Sequence, residues 1–162
     1  MAIDTRKAQR RAVRYNTVDE LLADAERIAR AERAGTLKRT GNWKPGQIFG
    51  HLAAWTDLAY DGYPADMPRP PWLIKILLKM MKGRFLRKGM PTGIRMRGVE
   101  AGTKFIDDLP LDEGLARLRK TATRVRTQNP LHDNPVFGPM PREECELMFL
   151  RHAELHMSFL HP

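Results

Sequence analysis

Two histidines four residues apart in "LRHAELHMSFL", His152 and His156, and a third in "QIFGHLAAW", His51, are the residues whose type and placement could do metal chemistry. On a helix, a spacing of four separates two side chains by about 40° around the axis and roughly 6 Å along it, so both imidazoles can reach one ion. His161 fails this test, because it lies nine residues beyond His152 and about half a turn round. A further ligand must come from elsewhere, and His51 is the only other histidine on an apolar helical stripe. Three buried imidazoles without partners would be costly, and coordination satisfies one nitrogen on each. Neutral nitrogen ligands of this kind suit a divalent ion, Zn²⁺ first, with Ni²⁺ and Fe²⁺ as further candidates. They leave a coordination position for water or substrate, as catalytic sites do.

The neighbouring polar residues fit less well. A zincin needs H-E-x-x-H, whereas this chain reads H-A-E-L-H. Glu154 then falls about 200° from His152 and is expected on the surface, solvated or ion-paired. Cys145 is seven residues ahead of His152, about 10 Å along a helix, too far to bind the same ion and expected as a buried, inert thiol. Asp57 and Asp61 are expected in solvent, Trp43 and Trp55 in core or cap packing, and His132 in a loop.

Four segments of helical periodicity must position these residues. The first, "NTVDELLADAERIARAERAG", has Asn16 or Thr17 to cap it and Gly35 to end it. The second, "KPGQIFGHLAAWTDLAYDGY", starts with Pro45 in its first turn and carries His51 in a stripe with Ile48, Leu52 and Trp55. The third runs from about Asp112 to Gln128. The fourth opens at "MPREECE", and its stripe of Cys145, Met148, Phe149, His152, Leu155, His156 and Phe159 is expected to face the core. The stretch of roughly fifty residues between the second and third exceeds the ordinary link of about 2–8 residues in a bundle. The expected fold is therefore all-α: a four-helix bundle with a long crossover or insert over residues 70–100 between helices 2 and 3. Within the insert, "PADMPRPP" reads as extended, "WLIKILLKMM" as a short helix with a narrow lysine edge, and "GMPTGIRMRG" as irregular.

A chain of 162 residues suits one domain, expected over residues 16–162 behind a loosely held basic arm over residues 1–15. The arm lacks the apolar run of a secretory signal, and a lone cysteine excludes both a disulfide framework and a cysteine-rich zinc site. The expected setting is the cytoplasm. The net charge of +9 is concentrated: residues 69–97 hold nine Lys/Arg and no acid. Such a segment permits membrane-surface or nucleic-acid binding. Neither is favoured, because a helix with so narrow a charged edge more often buries its apolar side against the bundle, as a lid near the metal, or against a second subunit. No apolar run reaches the roughly 18 residues that span a bilayer.

"GNWKPGQIFGHLAAW", "RFLRKGMPTG", "NPVFG" and "LRHAELHMSFL" together resemble the DinB/YfiT-like superfamily of metalloenzymes, in particular a bacterial branch described only as a domain of unknown function. The resemblance runs from about Tyr15 to Leu160. It implies a four-helix bundle with a long crossover, and a metal held by one histidine of the second helix and a spaced pair of the fourth, at His51, His152 and His156. Members of the wider superfamily include thiol-dependent S-transferases and isomerases, and many are dimers. The expectation is a metal-dependent hydrolase or thiol-dependent transferase acting on a small molecule, with a low-molecular-weight thiol as a possible partner and a homodimer as its assembly. The alternative is a noncatalytic metal-binding or interaction protein with a structural metal.

Overall fold

Thr17 starts the first helix by accepting the Glu20 amide on its hydroxyl, 3.2 Å away, while the Glu20 carboxylate takes the Asn16 amide at 2.6 Å. This leaves two fewer orphan donors at the helix start and fixes α1 at Val18–Arg33. The structure, a computed structural model, describes residues 3–67, 70–93 and 103–162. Arg69 of the basic segment and residues 94–100 of the expected insert lie outside them. Among the described residues there follow β1 at Lys38–Arg39, α2 at Pro45–Asp61, α3 at Trp72–Lys88, α4 at Leu111–Thr127, α5 at Arg142–Met157 and β2 at Leu160–His161.

The protein is thus mostly helical, with a single short antiparallel sheet that pairs Lys38 with His161 and Arg39 with Leu160. α2 packs most extensively on α4, and α5 touches the other four helices. One core joins Leu21, Ala25 and Ile28 of α1, Phe49 and Leu52 of α2, Leu118 and Ala122 of α4, and Phe149 and Ala153 of α5. α2 and α4 approach closely at their N-terminal ends, where a Cβ on Gly114 would collide with the Gly46 carbonyl and one on Gly46 with the backbone of Leu109 and Pro110. α3 runs on through "KGRFLRK", beyond the short helix expected, and docks on α5 by its C-terminal half. There Leu86 joins Met140 and Cys145 in a second, smaller cluster. No helix among the described residues is long and apolar enough to cross a membrane.

Two expectations need correction. Glu154, expected at the surface, is buried and bonded to buried Arg151 at 2.5 Å, to the Tyr15 amide at 2.8 Å and to Arg14 at 3.3 Å. The loose arm is tied down in its second half: Arg11 pairs with buried Asp24 and donates to the Leu160 carbonyl, and Tyr15 is buried with its hydroxyl on Asp24. Both have one cause. The segment before α1 lies along the side of α5 that helical periodicity assigns to water, so α5 buries Arg151, Ala153, Glu154 and Met157, while His152 and His156 sit half-buried at the edge of that face.

Candidate metal centre

α2 delivers His51 from its buried face. Pro45 occupies the first turn, and the Gln47 side chain accepts the Lys44 amide at 2.9 Å, which sets the start of the helix. Six residues on, His51 is 1% exposed, beside Leu52. α5 presents His152 and His156 one turn apart, and their Nε2 atoms lie 3.0 Å from each other. One ligand atom from each of His51, His152 and His156 falls within 4.8 Å of the other two. Among the described residues no other group of His, Cys, Asp or Glu is arranged to hold an ion.

The backbone dictates which nitrogen His51 offers. Its Nδ1 lies 3.2 Å from the carbonyl oxygens of both Lys104 and Phe105. Carbonyls only accept, so Nδ1 carries the proton and Nε2 keeps its lone pair. Such a bond to the nitrogen opposite the ligating one is how proteins orient imidazoles around metals. Phe105 presents its carbonyl from a left-handed backbone with φ 62°, an uncommon conformation for a bulky residue that costs on the order of 1–3 kcal/mol. The loop is held by Trp55, whose Nε1 donates to the Lys104 carbonyl at 3.3 Å and whose ring meets Phe105 edge-on at 5.6 Å. It is held also by the Lys104 ammonium, 2.6 Å from the Asp66 carboxylate.

Aromatic rings wall the cluster. Trp43 stacks on His156 with centroids 5.0 Å apart and planes 17° from parallel, and it lies 5.0 Å from His51. Burial pushes the His51 pKa down from 6.5 to about 4, against the opposing pull of its two carbonyl bonds. His152 and His156 are driven well below the usual range by burial first, then by neighbouring imidazoles, with Arg10 adding to the effect on His156. All three are therefore neutral at pH 7, the state that binds metal.

The donor set fits a divalent ion. Two imidazole nitrogens at 3.0 Å need either a shared proton or a cation between them. In a tetrahedral zinc site ligand nitrogens lie about 3.3 Å apart, so binding one ion would shorten the widest of the three separations by roughly 1.5 Å.

The other polar residues lie apart from this cluster. His161 sits on β2 with its Nε2 3.2 Å from Thr40 Oγ1, and His132 is in the loop after α4, near Gly62. Cys145 is buried, which raises its thiol pKa to about 11. Asp57, expected in solvent, accepts Thr121 Oγ1 at 2.9 Å and Arg124 at 3.3 Å, and Asp61 also pairs with Arg124. Lys104 and Phe105 went unforeseen because they act through carbonyls, which every residue possesses. Trp43 was assigned to packing. Its place five residues before Ile48, the first residue of α2's apolar stripe, was the available signal that it borders the site.

Residues 7–162 match the family described as "Protein of unknown function (DUF1569)", and the chain belongs to that family. No curated protein and no solved structure matches it.

Proposed function

We propose that this member of a family without an assigned activity is a divalent-metal protein of the DinB/YfiT-like type, a four-helix bundle of α1, α2, α4 and α5 whose ion is held by His51, His152 and His156. The observation that carries the reading is the convergence of three neutral imidazoles from two helices, with the His51 lone pair directed by its carbonyl bonds. The order of elements supports it, with a long connection containing α3 between the second and third helices of the bundle.

A cation held at this point, Zn²⁺ by preference, supplies Lewis acidity that lowers the pKa of a water or thiol brought to it. The chain's own residues do the rest. The Lys104 and Phe105 carbonyls keep the proton of His51 on Nδ1, and Trp43 covers His156 and limits the approach of water to the ring. Three protein ligands leave room for one more group, which suits a hydrolase or a thiol-dependent transferase acting on a small molecule.

The structural alternative is favoured by one feature, that the three histidines join α2 to α5. Two measurements separate the readings. Protein purified without a polyhistidine tag is expected to carry, or take up tightly, one Zn²⁺ or Ni²⁺ per chain, and His156→Ala to lose that uptake; wild-type protein with no tight uptake would sink both readings. For an enzyme, His156→Ala abolishes turnover of model esters or thiol conjugates with little change in stability. For a structural ion, stripping the metal lowers the Tm steeply instead.

A further inference from the structure

The first half of α3 is the most exposed apolar surface among the described residues. Trp72 is 70% exposed, Leu73 61%, Ile76 50%, Leu77 52% and Met80 78%. Ile74 is exposed too, so at 100° per residue the exposed apolar side chains span about 200° and the first half of α3 stands clear of the protein on most of its circumference. Phe85 and Leu86, in the second half, are buried where α3 docks on α5. The apolar side expected to pack on the bundle therefore faces outward. An outward patch of this kind marks an interaction site.

Charge indicates what covers it. α3 contains six Lys/Arg and no acid. Of these, only Lys82 is in an ion pair among the described residues, with Glu144 at 2.7 Å. Lys75 and Lys79 lie beside the apolar side chains at one edge, and Arg84 and Arg87 fall at the angles of the apolar side itself, further toward the C-terminal end. A second copy meeting this helix two-fold would set these cations against their equivalents, with no carboxylate on either helix to relieve them. A nucleic acid would satisfy the cations and leave the five large apolar side chains in water. An anionic bilayer satisfies both: the apolar side chains enter the headgroup and acyl boundary, lysines extend to lipid phosphates, and tryptophan at the first turn prefers that boundary.

We infer that α3 is a membrane-surface helix, by which the protein lies on bilayers containing anionic lipid without spanning them. The inference is independent of the metal reading. Its test is co-sedimentation of the full chain with phosphatidylcholine vesicles that contain or lack phosphatidylglycerol. Binding is expected only with the anionic lipid, and it should fall steeply as salt rises. Leu73→Ser with Leu77→Ser should reduce it more than tenfold, and Lys75→Gln with Lys79→Gln by about thirtyfold. Because these side chains are exposed, the helical circular dichroism of both variants should match that of the parent. Failure to bind anionic vesicles at low salt overturns the proposal. So does a stable dimer that the leucine variant splits while vesicle binding is unchanged, or binding that survives the leucine variant and is matched by duplex DNA.

Discussion

At the scale of the residue, the site depends on where one proton sits. With Nδ1 of His51 given to two carbonyls, protonating the ring at Nε2 places a cation on a buried side chain beside two other imidazoles. The pH dependence follows from the depressed pKa. Between the unfolded value of 6.5 and the folded value of about 4, the unfolded chain binds the proton and the folded chain does not. The contribution of His51 is complete above about pH 6.5 and is lost as pH falls through that window, about 3 kcal/mol in all. Urea unfolding of metal-stripped protein from pH 7 to pH 4 should show this loss together with those of His152 and His156, and His51→Gln should make the profile shallower by the His51 share. A wild-type profile level across the window would mean that His51 is not held neutral. The three histidines were legible because a spacing of four and a place on an apolar stripe leave a mark in the sequence. Phe105 was not, because a strained φ and a carbonyl's direction are set by the fold around them.

At the scale of the element, α5 shows why periodicity misled. Helix starts were marked by residues that act locally, such as Thr17 before α1 and Pro45 in α2, and these elements form where expected. The face that α5 buries depends on what lies beside it. A segment more than a hundred residues earlier in the chain supplies the Tyr15 amide and carbonyl, which together with Arg14 make burial of Arg151 and Glu154 tolerable. Removing one partner leaves the other charge uncompensated, so Glu154→Ala should destabilise the protein by about 3–5 kcal/mol. Chemical denaturation measures this, and a loss below about 1 kcal/mol would show that the pair is not buried in solution. The α2–α4 contact makes a second prediction. Gly114→Ala meets an unyielding backbone carbonyl and should cost about 1–3 kcal/mol, whereas Gly50→Ala meets only the movable Leu109 side chain and should cost less. Equal melting temperatures for the two variants would contradict the close approach.

At the scale of the whole molecule, the long connection leaves α2 at Gly62, forms α3, and returns to clamp His51 through Lys104 and Phe105. That return was beyond reading from sequence, since residues 51 and 104 share no local pattern and are joined only by the path of the chain. The aromatic wall of the cluster also divides the chain's three tryptophans into two populations. Trp43 and Trp55 have ring centroids within 6.3 Å of His51, whereas Trp72 stands in solvent on α3. Binding of an ion to the cluster would therefore be read out by the protein's own fluorescence. Paramagnetic Ni²⁺ in the cluster should quench emission from the two half-buried indoles and spare the red-shifted emission of Trp72, while Zn²⁺ should compete the quenching away. A Trp72→Phe variant should lose the residual red-shifted light and keep the full titration amplitude; quenching that vanished with Trp72 would place the ion elsewhere.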